Sequence, residues 1–215
     1  MIAADVKPPL TNDELLALIN VDGFYRFPAS IDDYWNLLAE AQYRVDYYDH
    51  HVIAAMSYES DIHGQLATGF GFVLRSIFTD KKTYLVYNSN RPVYVEAYSG
   101  AGTGVFNADG MVVSLPRQTH EYRPGLSAET TPILLIEVLS PSTRGYDLGT
   151  KLPAYKQILS LQTILYVEQD KPDIMVMQRE APNRWTETRL QTASESFMIA
   201  GTPVTLEQIY RGVDA

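Results

Sequence analysis

Glu137 stands inside an almost unbroken apolar run, PILLIEVL (132–139). Such a run reads as a strand buried on both faces. A lone carboxylate there is costly, so it must be paired, protonated or bound to a metal ion. Asp109 lies in another strand-like segment, GVFNADGMVVSL (104–115). Two carboxylates on neighbouring strands of one sheet can converge within a few ångströms. That pair suits a hard divalent cation such as Mg²⁺, which binds through one or two carboxylates and keeps several waters. In LSPSTRGYDLGTKLPAYKQIL (139–159), Asp147, Lys151 and Tyr155 recur every four residues, so on a helix they share one face. A Lys facing a two-carboxylate metal site can stabilise the negative charge of a phosphoryl transition state or orient the attacking water. Plainer roles fit the same residues. Glu137 could emerge at the strand end beside a surface Lys, Asp109-Gly110 could be a turn, and Asp147–Lys151 could be a weak surface pair.

The elements that would position these groups follow from periodicity and caps. TNDELLALIN suggests a short helix capped by Thr11 or Asn12, and SIDDYWNLLAEA (30–41) a second, capped by Ser30 with acidic residues in its first turn. YRVDYYDHHVIAAM (43–56) has hairpin character, with His50 and His51 at the tip. Ile62, Leu66, Phe70, Val73 and Leu74 share helical spacing, and Gly69 and Gly71 would admit a close neighbour. YLVYN (84–88), PVYVEAY (92–98), GVFNADGMVVSL, PILLIEVL, TILYVEQ (163–169) and DIMVMQR (173–179) are strand candidates, and TPVTLEQIY is a closing cap and helix. A helix is expected over about 150–159. Pro153 is tolerated only in a first turn, which places Lys151 at or near the helix start. The fold class is α/β (α+β), a central mixed sheet flanked by helices. Residues 1–30 form an N-terminal arm, a helical and hairpin extension, and 31–215 a single domain.

Composition narrows the function. The 215 residues carry 17 Lys and Arg against 26 Asp and Glu, a net charge of −9. That balance opposes non-specific binding to nucleic acid or membranes. The absence of Cys excludes disulfide, thiolate and Cys-based metal chemistry. No apolar run is long enough to span a membrane, and the first residues, MIAADVKPPL, lack the layout of a secretory signal, so the expected location is the cytoplasm. No G-x-x-x-x-G-K-[ST] loop is present, which sets nucleotide hydrolysis aside. His63, near a helix start, reads as a packing or hydrogen-bonding residue.

From 136 to 170 the chain reads IEVLSPST…D…K…Y…SLQ-x-x-x-YV-x-QD. This block resembles the Uma-two restriction endonuclease family of cyanobacterial type, within the PD-(D/E)xK nuclease superfamily. The resemblance extends upstream through YW-x-LLAEAQYRVDYYDHHVIAAMSYESDIHG, where His63 takes the family His position and Asp46 that of the family Glu. Ala108-Asp109 stands for the family Pro-Asp. The superfamily Lys two residues after the Glu is Leu139 here; the family supplies it from the following helix, which would be Lys151. The resemblance implies a restriction-endonuclease-like core that cuts DNA with Mg²⁺, for which Mn²⁺ would substitute. It implies Asp109, Glu137 and the Val138 backbone carbonyl as metal ligands, Lys151 as the catalytic cation, and Asp46 as an outer carboxylate for a second metal. It also implies a homodimer, since a duplex cutter needs two sites. The alternative is a non-catalytic interaction module on the same fold, which the −9 charge and Leu139 would suit. A glycosidase pair is disfavoured, because no aromatic sugar platform surrounds the two carboxylates. DNA contact would need a local basic patch, with Lys81, Lys82, Arg91, Arg117, Arg123, Arg144, Lys151 and Lys156 as candidates.

Overall fold

Side-chain caps start four of the helices, at Thr11 and Ser30 as the sequence places them and at Ser60 and Thr205. The Thr11 hydroxyl accepts from the Glu14 N–H above α1 (Asn12–Leu16), and Ser30 does the same for Asp33 above α2 (Ile31–Leu38). Ser60 caps α3 (Asp61–Ile77), and Thr205 caps α6 (Leu206–Tyr210). Each hydroxyl satisfies an orphan donor of a first turn. Leu66, Phe70 and Leu74 line the buried face of α3. A Cβ on Gly71 would come within 2.7 Å of the Asn88 side chain, so the bare glycine admits the neighbouring strand end. The computed structural model describes residues 8–56, 60–88, 91–98 and 100–213. The first residues of the N-terminal arm, Ser57 of the upstream family motif and Ser99 lie outside these.

The strands form two mixed sheets and a small hairpin. The seven-stranded sheet comprises β1 (Phe24–Pro28), β2 (Arg44–Tyr48), β3 (His51–Ala55), β5 (Pro92–Val95), β6 (Gly104–Asn107), β8 (Thr119–Arg123) and β9 (Leu126–Glu129), in the order β1-β3-β2-β6-β5-β9-β8. β2 and β3 are the expected hairpin, turning at Asp49 and His50, both with positive φ (47° and 63°). The six-stranded sheet comprises β4 (Tyr84–Asn88), β7 (Gly110–Ser114), β10 (Pro132–Leu139), β11 (Thr163–Glu168), β12 (Ile174–Ala181) and β13 (Arg184–Leu190), in the order β13-β12-β11-β10-β7-β4. β10 and β11 are parallel, and the other pairs of this sheet are antiparallel. β14 (Ser196–Ile199) and β15 (Thr202–Thr205) make the hairpin.

The segment GVFNADGMVVSL is not one strand. β6 belongs to the seven-stranded sheet and β7 to the six-stranded sheet, and the chain crosses between them at Ala108-Asp109. One face of the six-stranded sheet packs on α3, α6 and the hairpin, through Leu66, Phe70, Ile136, Val138 and Ile209. Its other face, with Leu135 and Leu139, meets Phe106 of the second sheet together with Ala154 and Tyr155. The far side of the seven-stranded sheet is covered by α1 and α2 through Leu15, Tyr34 and Trp35. The fold class is the expected α/β (α+β) arrangement, mixed sheets flanked by helices.

Candidate active site

β10 is buried along nearly its whole length. Alternation sends Ile136 and Val138 toward α3 and leaves Glu137 on the face of Leu135 and Leu139. Glu137 is 1% exposed, so it does not emerge beside a surface Lys. The crossing point between the sheets delivers Asp109. Its N–H donates to the Ile136 carbonyl (2.9 Å), and its Oδ2 accepts from the Val138 N–H (2.7 Å). Gly110 allows this approach, since a Cβ there would sit 3.3 Å from Ile136 Cδ1. Asp109 is therefore locked against the strand that carries Glu137.

Lys151 comes from the crossover between β10 and β11. The helix there does not start near Thr150. It begins with α4 (Arg144–Tyr146), passes through a π turn at Asp147–Lys151, and continues as α5 (Leu152–Tyr155). The Leu152 N–H reaches back five residues to the Asp147 carbonyl. Pro153, with no N–H, follows directly, so the wider turn accommodates a proline that an α-helix interior would reject. Lys151 lies deep in this helix instead of at its start. Its Nζ is 3.1 Å from each Glu137 oxygen, 3.0 Å from Asp147 Oδ1 and 3.9 Å from Asp46 Oδ2. Asp147 and Lys151 are each 3% exposed, so their i,i+4 pair is internal.

Tyrosines and an asparagine hold the rest. The Tyr155 hydroxyl donates to Glu137 Oε1 (2.6 Å) and the Tyr146 hydroxyl to Asp46 Oδ2 (3.1 Å). Asn107 donates its N–H and its side-chain amide to Asp46 Oδ1, each at 2.9 Å. His63 Nε2 lies 3.2 Å from Asp109 Oδ2, so the predicted hydrogen-bonding histidine contacts a site carboxylate. Arg44, which sequence reasoning missed, donates through Nη1 to Asp109 Oδ1 (3.2 Å) and through Nη2 to the Asn107 carbonyl. A signal for it existed: Arg44 and Asp46 are two apart on a strand and face the same way.

Buried carboxylates at Asp46, Asp109, Glu137 and Asp147 thus face two fixed cations, Arg44 and Lys151. Burial pushes the Glu137 carboxyl well above the ordinary range; Lys151 pulls against this, and the charges of Asp147 and Asp109 add to it. Burial also pushes Asp109 up, but the His63 hydrogen bond and the Arg44 charge more than offset that and hold it well below the usual carboxylate range. Burial draws Lys151 down, yet Asp147 and Glu137 outweigh it, so Lys151 stays charged. These groups line the floor of a cavity of about 530 Å³.

Most of the expected basic patch is engaged elsewhere. Arg91 and Arg117 both bond the buried Glu129, Arg144 pairs with Glu168, Arg123 bonds Asn36, and Lys151 is internal. Leu139, at the superfamily Lys position, is a core residue.

The sheets thus bring two buried carboxylates and a Lys to one cavity. The family Uma2, described as Putative restriction endonuclease, matches residues 31–208, and the chain belongs to this family. A crystal structure of a putative nuclease belonging to DUF820 from Anabaena variabilis superposes with a TM-score of 0.60. The match covers 80% of this chain and 96% of that one at 13% identity, so the fold is shared. No curated protein matches the chain. No helix among the described residues is long and apolar enough to cross a membrane.

For this donor set the resemblance implies a divalent metal. Among the described residues no group of three or more His, Asp or Glu side chains is placed to hold a metal ion. Asp109 and Glu137 nonetheless fit Mg²⁺ in chemistry: they are hard oxygen donors, and one or two carboxylates with water and a backbone carbonyl suffice for that ion. The local excess of buried negative charge also fits a divalent cation.

Proposed function

We propose that the chain is a Mg²⁺-dependent endonuclease that hydrolyses phosphodiester bonds of DNA, with Mn²⁺ able to substitute. The observation that carries this reading is the convergence of Asp109, Glu137 and Lys151, each 3% exposed or less, from three separate elements onto one cavity. Asp109, Glu137 and the Val138 carbonyl would hold the metal. When bound, the metal supplies Lewis-acid activation of a water and charge neutralisation at the phosphate. Lys151 is the catalytic cation, fixed behind Glu137 and charged throughout the physiological range, where it offsets the charge that grows on the phosphoryl oxygens. Asp46, braced by Asn107 and Tyr146, is the outer carboxylate that would serve a second metal. The burial of these groups strengthens each of these electrostatic effects.

Plasmid nicking in Mg²⁺ or Mn²⁺ tests the reading, comparing wild type with Glu137→Ala. Metal-dependent nicking by wild type alone is expected. Equal activity in both proteins, or none in either, would overturn it and favour a non-catalytic interaction module. The protein acts as a homodimer, because cutting both strands of a duplex needs two sites. Light scattering that gave the monomer mass of 24.2 kDa would remove that part.

A further inference from the structure

Five charged side chains of the site are sealed from solvent. The side chains of Asp109, Glu137, Lys151, Asp46 and Asp147 are 2–6% exposed. Arg44 differs: its side chain is 26% exposed and lines the same cavity. Lys151 has three N–H donors, and Glu137 and Asp147 lie at 3.0–3.1 Å from its Nζ. A guanidinium has five donors in a planar fork. Among the described residues Arg44 uses one on Asp109 Oδ1 and one on the Asn107 carbonyl.

Building on the nuclease reading, we propose that Arg44 is the cation that contacts the phosphodiester, placed by Asp109 and the Asn107 carbonyl at the cavity wall. Lys151 then acts from behind Glu137, while Arg44 meets the substrate. The fork of an arginine matches two phosphate oxygens, and a partly desolvated guanidinium binds them with charge-assisted hydrogen bonds. β2 makes this placement rigid. Arg44 and Asp46 leave the same face of one strand, and Asp46 is fixed by Asn107, whose carbonyl also accepts from Arg44.

The test measures DNA binding and metal binding separately. A short fluorescein-labelled DNA duplex is titrated by anisotropy, with Ca²⁺ in place of Mg²⁺ to stop turnover, over a range of salt. Wild type, Arg44→Ala and Arg44→Lys are compared, and Mn²⁺ binding is followed by calorimetry without DNA. Arg44→Ala is expected to retain Mn²⁺ binding where Glu137→Gln loses it, to bind DNA about ten- to a hundredfold more weakly, and to show a salt slope shallower by about one. Arg44→Lys should recover part of the affinity, since it keeps the charge and loses the fork. Wild-type DNA affinity and salt slope in Arg44→Ala would overturn the proposal. So would loss of Mn²⁺ binding equal to that of Glu137→Gln, because Arg44 would then serve only Asp109. Circular dichroism checks the fold of each variant. Nicking assays keep the two readings apart. A wild type that binds DNA through Arg44 but nicks nothing defeats the nuclease reading alone. A wild type that nicks, beside an Arg44→Ala of unchanged KM, defeats the Arg44 contact alone.

Discussion

Removing the Lys151 charge should destabilise the fold more than a typical ion-pair mutation. The Nζ lies 3.0–3.1 Å from Asp147 and Glu137 and 3.9 Å from Asp46, and the side chain is 4% exposed. At an effective dielectric constant of about 20, each pair near 3 Å contributes roughly 5 kcal/mol of attraction, most of it offset by desolvation already incurred on folding. Lys151→Met keeps the stem and deletes the charge. The carboxylates then remain buried and face one another, and breaking a buried pair in this way costs about 3–5 kcal/mol. A domain of this size loses about 2–4 °C per kcal/mol, so the melting temperature should fall by roughly 10–15 °C. Glu137→Gln added to Lys151→Met should recover at least half of that loss, because it removes a carboxyl that without Lys151 must either take up a proton at neutral pH or stay charged and unpaired. Asp147→Asn alone should cost much less than Lys151→Met, since Lys151 keeps Glu137 and the cluster sheds excess negative charge. Thermal unfolding followed by circular dichroism reads all four proteins. A Lys151→Met variant within about 1 kcal/mol of wild type, or a double variant no more stable than the single, would refute the electrostatic account.

Three further outcomes are expected. Mn²⁺ or Mg²⁺ at about a hundred times its dissociation constant should raise the melting temperature by roughly 5–10 °C, and Asp109→Asn or Glu137→Gln should abolish the rise. Gly104→Ala should cost about 1–3 kcal/mol in urea unfolding, because the new Cβ would overlap the Phe106 ring, which stands edge-on to Tyr155 at 5.6 Å and cannot retreat; an unchanged midpoint would show that the ring does yield. Burial pushes the Asp173 carboxyl up, but the Arg189 fork at 2.8 Å, with Gln191 and Lys171, holds it down at about 2. A depressed carboxyl stabilises above its unfolded pKa and loses that as pH falls, so wild type should exceed Asp173→Asn by about 1–2 kcal/mol above pH ~4, the gap closing toward pH ~2; a gap independent of pH would sink this assignment.

The elements that a local signal encodes were legible in the sequence. The hydroxyl caps at Thr11 and Ser30, the apolar run of β10 and the helical spacing of α3 all depend on near neighbours, and each appears where expected. The site's two outer anchors were harder. GVFNADGMVVSL has one continuous strand pattern, yet tertiary pairing divides it between two sheets at Asp109, and nothing local to the segment says which partners each half will find. Pro153 suggests a helix start because an α-helix excludes proline from its interior; a π turn relaxes that rule, and residue propensities carry no signal for one. Arg44 escaped notice because a basic residue on a strand ordinarily reads as solvated, and only the fold brings it to Asp109, 65 residues away.

The net charge of −9 and the proposed DNA substrate are reconciled by where the charges lie, not by how many there are. Asp46, Asp109, Glu137 and Asp147 are buried, tyrosines donate to Asp46 and Glu137, and the field of the four is partly cancelled by Lys151 and Arg44. Among the described charged residues that line the cavity Arg44 is the most exposed, and Ser140, Ser142 and Thr143 line the same cavity. Arg91, Arg117 and Arg144 are tied to carboxylates and offer little free charge to a duplex. Few phosphates can therefore be neutralised at once, and DNA affinity should rest on the site itself. Because log affinity falls with log salt in proportion to the phosphates neutralised, a small slope distinguishes this arrangement from a basic groove that tracks the backbone. The same scarcity makes the metal matter twice: it would complete the chemistry, and by lowering the buried negative charge it would let an anionic strand approach an acidic protein.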